Sequence, residues 1–373
     1  MVDKEIHIVS FNVPYPPNYG GVIDVFYKIK ALANAGVKIH LHTFQYGRPK
    51  SEKLEEYCEK VYYYDRRISL GGIFSKMPII VSSRSNERLL NLLIGYDFPI
   101  LFEGLHTTRY INHPDLKGRQ LIVRTHNVEW QYYKHLATLE KKWYKRLYFN
   151  IEAKRLKQYE RFLTNASEFI CISNDDQKYY EELFPGKTIF IPAFHENDKL
   201  QIEPGNGEYV LYHGDLSVKD NEAAALFLIN EVFKSTPIKL IIAGLNPGQI
   251  LKDRVRHFDH ISLTPNPGFK EMRSLIANAH VNLLYSFQSA GMKLKLLNAL
   301  FLGRHCVVNS KMVQNSEMER LCIVADSGLE IAEALKRIVD QPFGQEEIAK
   351  RENLLIDRFS NQNNGQLLTS IIR

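Results

Sequence analysis

The chain has 373 residues, of which 45% are hydrophobic, and a formal net charge of +6. That length predicts two domains of roughly 150–200 residues each. The four cysteines are scattered and form no CxxC pair, which disfavours a disulfide framework or a zinc site and fits a reducing cytosol. The N-terminus lacks the residue order of a signal peptide, and no apolar run reaches the roughly 18–20 residues of a spanning helix, so we expect a cytoplasmic protein.

Residues 5–44 predict a strand, a glycine-containing loop, a helix and a second strand. The loop, PYPPNYGG, follows the first strand, and open α/β sheets bind ligands at the carboxyl ends of their strands. Gly20 and Gly21 let the backbone approach a ligand closely, and the N-terminus of the following helix favours anions. A loop that binds a phosphate-bearing ligand and a loop that only turns the chain fit equally well, because the spacing is not GxGxxG.

Strands and helices alternate along the rest of the chain. In the N-terminal half, further strands are predicted in turn at KVYYYD, PILFEGLH, RQLIVRTHN, EFICIS and TIFIPAF. The polar, turn-rich residues 200–207 predict a linker, after which a second βα series begins. This order predicts an α/β protein with two facing Rossmann-like, doubly wound domains. The cleft expected between them would suit the joining of two substrates.

Residues 141–161 carry a dense set of basic side chains with Trp143, Tyr144, Tyr148 and Phe149 interleaved. One interpretation is a helix that contacts an anionic membrane surface or another anionic partner, mainly through residues 141–149. The other, which we favour, is a long, partly solvated helix whose aromatic side chains enter the core. No recognised nucleic-acid motif accompanies this stretch, so nucleic-acid binding is not expected.

Four segments resemble the GT-B glycosyltransferases, in particular the retaining glycosyltransferase family 4 (group 1). They are PYPPNYGG with its helix, FEGLHTT with VRTHNVEWQYY, YHGDLSVKDNEAAALFL, and SAGMKLKLLNALFLGRHCVVN. The resemblance spans nearly the whole chain and implies transfer of a sugar from a nucleotide-sugar donor to a glycan or lipid-linked acceptor. The nucleotide sugar would be a co-substrate, and no cofactor is expected.

The expected domains are an acceptor-side domain at residues 1–200 and a nucleotide-sugar-side domain at residues 208–350. A C-terminal helix at residues 351–373 is expected to cross back to the N-terminal domain.

The resemblance also implies roles for individual residues. His106 and His126 are expected to be catalytic, since the first of these positions contacts the transferred sugar in the family. Lys293 is the first choice for a diphosphate contact and Lys219 the second, each with a solvated surface charge as the alternative. The residues expected to bind the donor are Gly20, Gly21, Gly214, Lys219, Gly291, Met292, Lys293 and Asn298. Those expected to bind the acceptor are Tyr19, Asn127 and Glu129.

Three positions depart from the family pattern. Ala290 and Asn298 stand where the family has two glutamates, and Asp215 stands where it has an arginine. Asn298 can still hydrogen-bond hydroxyl groups, and Asp215 is expected to turn away from a diphosphate. The chain contains no Asp-x-Asp motif, so we expect a metal-independent reaction and no metal site.

Two other functions also fit the sequence. A sugar-nucleotide epimerase also uses two facing Rossmann-like domains, and it would need carboxylates as acid and base, for which Glu103 and Glu129 are the candidates. A catalytically impaired protein that binds a sugar or nucleotide is the second alternative, because a fold does not guarantee an activity.

Overall fold

The computed structural model describes residues 4–68, 75–287 and 294–373. These residues form two compact units. Residues 4–196 with 358–373 make up the first unit, and residues 197–287 with 294–357 make up the second. None of the helices in the described ranges has both the length and the apolar character that a bilayer-crossing segment needs.

The first unit is built on a parallel sheet. Its strands, within the described residues, are β1 (Glu5–Ser10), β2 (Lys38–Gln45), β3 (Lys60–Asp65), β4 (Ile100–Glu103), β5 (Leu121–Thr125), β6 (Glu168–Cys171) and β7 (Thr188–Phe190). They lie in the order β3-β2-β1-β4-β5-β6-β7, so the direction of winding reverses between β1 and β4. Ligands bind beside such a reversal in open α/β sheets.

Helices cover this sheet. They are Gly20–Asn34, Ile79–Ser82, Glu87–Gly95, Glu129–Leu139, Trp143–Glu160, Asn174–Leu183 and Asn361–Ile371. The helix Gly20–Asn34 buries Val22, Val25, Ile29 and Leu32, a helical spacing that the sequence already shows. It ends before Gly36, whose φ of 84° favours glycine.

The second unit has a parallel sheet of its own. Its described strands are β8 (Val210–Asp215), β9 (Leu240–Leu245), β10 (Ile261–Pro265), β11 (Val281–Leu284), β12 (His305–Val308) and β13 (Ile323–Val324), in the order β10-β9-β8-β11-β12-β13. Its helices are Lys219–Leu228, Gln249–Val255, Phe269–Asn278, Leu294–Leu302, Ser310–Val313, Gly328–Ile338 and Gln345–Phe359. Two Rossmann-like α/β units are therefore confirmed.

Two predicted elements differ from the structure. The strand expected over TIFIPAF is only three residues long, because Pro192 has no N–H for a sheet ladder and its carbonyl accepts a hydrogen bond from Arg124. The C-terminal residues form two helices instead of one. They separate at Ser360, whose hydroxyl accepts a hydrogen bond from the Asn363 N–H at 3.3 Å and caps the last helix.

The helix Trp143–Glu160 corrects the interpretation that we favoured. Its buried face consists of Glu152, Ala153, Leu156 and Glu160. The aromatic side chains lie elsewhere: Trp143 is 76% exposed, Tyr144 and Tyr148 are exposed, and only Phe149 is half-buried. The core interpretation is thus wrong for the N-terminal half of this helix, because the turns that reach the core begin after the aromatic residues.

The last helix, Asn361–Ile371, packs against the helix Gly20–Asn34 in the first unit. Leu368 is 1% exposed there, whereas the adjacent Leu367 is 44% exposed. We expect Leu368→Ala to lower the free energy of unfolding by about 2–5 kcal/mol, since it leaves a cavity in the core.

The matched control is Leu367→Ala, for which we expect a change within about 0.5 kcal/mol. Urea unfolding followed by circular dichroism measures both. Equal losses in the two variants would show that the last helix is not held by its buried face.

Candidate active site

The candidate site of the first unit lies where the strand order reverses. Phe11 follows β1, Gly104 follows β4 and His126 follows β5. Gly104 has a φ of 69°, and a Cβ atom at this position would lie 2.9 Å from Nδ1 of His106. A glycine is therefore required both by the backbone conformation and by the close approach of the imidazole.

The structure brings the two predicted histidines together around Phe11. Their ring centroids lie 5.4 Å (His106) and 5.5 Å (His126) from that of Phe11. The side chain of His106 is 23% exposed, and its Nδ1 has no hydrogen-bond partner among the described residues. Burial, together with the charge of Arg84, holds the pKa of His106 well below its usual value, so the imidazole is neutral at pH 7.

His126 is more deeply placed. It is 5% exposed, and its Nε2 lies 3.1 Å from a carboxylate oxygen of Glu103. This contact orients the ring beneath Phe11. A side chain this deeply buried is better placed to position its neighbours than to contact a substrate.

A fully buried ionic network supports these residues. The Lys28 ammonium lies 2.9 Å from Asp24 and 2.9 Å from Glu103. Arg124 donates to Asp24 at 2.9 Å and to the carbonyl groups of Ile191 and Pro192. Burial alone would raise the pKa of Asp24, but Arg124 and Lys28 outweigh it and hold that pKa well below its usual range.

Asp24, Glu103 and His126 are grouped closely enough to hold a metal ion. The carboxylates of Asp24 and Glu103, however, already contact Lys28 and Arg124, and His126 contacts Glu103. A divalent cation would have to displace a buried ammonium group, so these residues do not fit a metal.

The glycine loop has a different packing role from the one that its sequence suggests. A Cβ atom on Gly21 would lie 2.7 Å from Cζ of Phe11, so the ring occupies the space that the missing side chain leaves. Tyr19 precedes the helix and is 42% exposed, and it provides no side-chain cap. The amide groups at Gly20 and Gly21 are therefore not capped by a side chain, which keeps the predicted anion contact possible.

The expected acceptor residues Asn127 and Glu129 hydrogen-bond each other. Glu129 is 3% exposed, and one of its oxygens lies 4.0 Å from Nδ1 of His106. Burial raises the pKa of Glu129 to about 8, with further contributions from Glu160 and Asp176. Glu129 is thus a neutral carboxylic acid at pH 7, next to the neutral imidazole of His106.

Sequence reasoning missed the two acids behind Glu129. Burial raises the pKa of Glu160 to about 7 and that of Asp176 to about 6. Glu160 accepts hydrogen bonds from the hydroxyl groups of Tyr179 and Tyr180. The available signal was Glu160 on the same helical stripe as Ala153 and Leu156, where a charged residue is unusual.

In the second unit, Gly214 is the penultimate residue of β8 and packs closely on Asn221, since a Cβ atom would lie 3.2 Å from the Asn221 side chain. The Asp215 carboxylate accepts hydrogen bonds from the N–H and hydroxyl groups of Ser217. Lys219 is exposed at the first position of the next helix. The ammonium group of Lys295 lies 3.4 Å from Asn221, so a cation reaches this loop from the helix Leu294–Leu302.

Asn298 lies on the same helix as Lys295 and accepts a hydrogen bond from Asn197 at 2.8 Å. Asn197 in turn accepts one from Arg273. The contact of Asn298 with the donor remains a prediction. Ala290, Gly291, Met292 and Lys293 lie outside the residues that the structure describes.

His213, on β8, is a further candidate that the sequence did not reveal. It is 5% exposed, and its Nε2 has no hydrogen-bond partner within the described residues. Burial and the nearby Lys295 lower its pKa to about 3, so it is neutral. Its position one residue before Gly214 was the only available signal.

The buried carboxyl groups of the first unit predict a pH dependence of stability. The folded state holds the Glu129 proton with a pKa of about 8, against an ordinary value of 4.5. The stabilisation from protonated Glu129 is fully present below about pH 4.5. Between the unfolded-state pKa of 4.5 and the folded-state pKa of about 8, its loss lowers the free energy of unfolding by about 1.4 kcal/mol for each unit that the pH rises. Glu160 and Asp176 add slopes of the same sign below about pH 7 and about pH 6. We therefore expect Glu129→Gln to remove the slope between about pH 7 and pH 8 and to reduce it at lower pH.

Urea unfolding at several pH values from about 4.5 to 8 measures the effect. The exposed carboxylate Glu182 provides the control, since Glu182→Gln should leave the slope as in the parent protein. An unchanged slope in Glu129→Gln would show that Glu129 is ionised in the folded state.

Comparisons with known proteins agree with this architecture. Residues 207–341 match the family model described as Glycosyl transferases group 1. A Klebsiella pneumoniae protein described as an uncharacterized 44.6 kDa protein in the cps region is 27% identical over 315 residues, which are 79% of this chain and 80% of that protein.

Two solved structures share the fold over nearly their whole length. The apo form of the lipopolysaccharide outer core galactosyltransferase WaaB has a TM-score of 0.65 at 12% identity, covering 98% of this chain and 99% of WaaB. A mutant of S. aureus TarM in complex with Fondaparinux, alpha-GlcNAc-glycerol and UDP has a TM-score of 0.66 at 10% identity, covering 99% of each chain. The match assigns residues 207–341 to a group 1 glycosyltransferase domain, and the two Rossmann-like units of the chain agree with the fold of these two structures.

Proposed function

We propose that this protein transfers a sugar from a nucleotide-sugar donor to a glycan or lipid-linked acceptor in polysaccharide or glycoconjugate synthesis. The observation that carries the proposal is the group 1 glycosyltransferase match over residues 207–341, the part of the chain that contains Gly214, Lys219 and Lys295. The relative from a cps region supports a role in surface polysaccharide synthesis. The proposal includes retention of configuration, a cytoplasmic location and no cofactor.

The second unit would hold the donor. A nucleoside diphosphate gains negative charge as it leaves the sugar, and cations and helix N-termini stabilise that charge. Lys295 and the N-terminus of the helix Lys219–Leu228 supply these groups near Gly214. Because Asp215 is engaged by Ser217, its charge is partly satisfied within the loop.

The first unit would act on the transferred sugar and the acceptor. The neutral imidazole of His106 is partly exposed and has an unpartnered Nδ1 among the described residues, so it can hydrogen-bond a sugar hydroxyl group. Glu129 and Asn127 lie beside it. A metal-independent reaction is proposed because Lys28 and Arg124 already occupy the carboxylates that could bind a cation.

An epimerase is less well supported. Its candidate acid and base were Glu103 and Glu129. Glu103 is fully buried and contacts Lys28 and His126, which leaves it no path to a substrate proton.

The membrane contact is part of the proposal. Trp143, Leu147 and Ile151 are spaced four residues apart, and Tyr144 and Tyr148 lie beside them. Together these five exposed residues span about 140° of the helix. Lys141, Lys142, Lys145 and Arg146 are also exposed. Exposed aromatic residues with flanking basic residues are typical of helices that bind an anionic bilayer.

One cation, Arg66, is within electrostatic reach of both this exposed face and the candidate site. Arg66 acts electrostatically on both Tyr148 and His106, and its guanidinium stacks on Tyr46 at 4.5 Å.

The activity can be tested by binding and turnover. Calorimetry with UDP-, GDP- and ADP-sugars should identify one donor that binds. With that donor, we expect His106→Ala to abolish transfer and to leave donor affinity within a few fold, because His106 lies in the other unit from the group 1 domain.

The complementary variant is Lys295→Gln, for which we expect donor affinity to fall by about tenfold through loss of a charge-assisted contact. Binding of no donor by the folded protein would refute the transferase proposal. Full turnover by His106→Ala would refute the role of His106 alone.

Flotation with vesicles of phosphatidylglycerol and phosphatidylcholine tests the membrane contact. We expect the double variant Trp143→Ser, Leu147→Ser to bind at least about tenfold less, since two large apolar side chains no longer enter the interface. The control is Ile250→Ser, Phe269→Ser, which changes two similarly exposed residues of the second unit. Equal binding by the two double variants would contradict the proposed contact.

A further inference from the structure

A cavity of about 660 Å³ in the first unit takes no part in the proposed reaction. It lies between residues 76–77, the turn at Arg109–Asn112 and the C-terminal end of the helix Trp143–Glu160. Its volume falls within the range of small-molecule sites, about 300–1,000 Å³.

The charged side chains that line this cavity are all basic. Lys76, Arg109 and Arg161 line it, and none of the described residues in its wall is acidic. Among the described residues, none of these three cations forms an ion pair. Three cations without a carboxylate favour an anion, and guanidinium groups match phosphate oxygens particularly well.

The rest of the wall is mainly apolar. Met77, Ile111 and Phe162 contribute to it, and Phe162 is 64% exposed. An exposed aromatic side chain beside a cavity gives an apolar ligand a surface to cover. The ligand should therefore combine an anionic group with a hydrocarbon part.

Two hydrogen bonds hold the wall of the cavity in place. The Tyr159 hydroxyl donates to the carbonyl of Thr108 at 3.0 Å, and the Asn112 amide donates to the carbonyl of Phe162 at 2.5 Å. These contacts connect the helix end to the turn that carries Arg109. The cavity therefore does not have to be assembled by its ligand.

We infer that this cavity binds an amphiphile whose head group is a phosphate or diphosphate, with Arg109 and Arg161 on the head group and Phe162 on the hydrocarbon. The site goes beyond the proposed sugar transfer, because binding requires neither donor nor turnover. It also differs from the exposed face at Trp143 and Leu147, which lies at the opposite end of the same helix.

Calorimetry of the full chain with three soluble probes tests the inference. Decyl phosphate carries both parts of the ligand, inorganic phosphate carries only the head group, and decyl maltoside carries an uncharged head on the same tail. We expect decyl phosphate to bind at least about tenfold more tightly than either of the others. Equal binding of inorganic phosphate, or of decyl maltoside, would overturn the inference.

Substitutions in the cavity wall test where the ligand binds. We expect Arg109→Gln, Arg161→Gln to weaken decyl phosphate binding by at least about tenfold, and Phe162→Ser to weaken it severalfold. Phe162→Ser changes an exposed side chain and is expected to fold normally. The control, Lys134→Gln, Lys178→Gln, removes two exposed cations of the same unit and should bind as the parent does.

A further variant distinguishes binding in the cavity from binding at the exposed face around Trp143 and Leu147. The variant Trp143→Ser, Leu147→Ser should bind decyl phosphate as the parent does. Loss of binding there, with binding intact in the cavity variants, would assign the ligand to the exposed face and overturn the inference.

Discussion

The buried contacts of Lys28 and Arg124 with Asp24 and Glu103 are the constraint on which the first unit depends. They connect the helix Gly20–Asn34 to the ends of β4 and β5 and to the segment after β7. Buried charges are costly unless each is paired and hydrogen-bonded, and here two cations match two carboxylates. Removing one partner would leave an uncompensated charge in the core, so the relative positions of these elements are strongly fixed. The network thereby places the loops that carry the candidate site.

The same constraint changes how the glycine loop is understood. The helix after the loop is held by Asp24 and Lys28, which sets Gly21 against the ring of Phe11. The backbone carbonyl of Phe11 accepts a hydrogen bond from Arg84, and its ring contacts both histidines. The main structural role of Gly21 is therefore to leave room for the Phe11 ring.

Much of this could be predicted from the sequence, because hydrophobic periodicity and strand-end loops report directly on an α/β fold. The two units and the strands that precede His106 and His126 follow from that pattern. The ionic network could not be predicted, since Asp24 and Arg124 are 100 residues apart in the chain. The exposed face at Trp143 was also misjudged. Composition shows that aromatic residues are present, but only tertiary packing decides which side of a helix is covered.

Two departures from the family pattern, at positions 215 and 298 of the second unit, can be explained by their contacts. A carboxylate at position 215 is compatible with a nearby diphosphate only if its charge is engaged elsewhere, and Ser217 provides two hydrogen bonds to it. The amide at position 298 accepts a hydrogen bond from Asn197, which in turn accepts one from Arg273. Lys295 brings a cation to Asn221, close to Gly214. Donor binding in this protein would thus depend less on paired carboxylates and more on one lysine and the backbone of the strand-end loop.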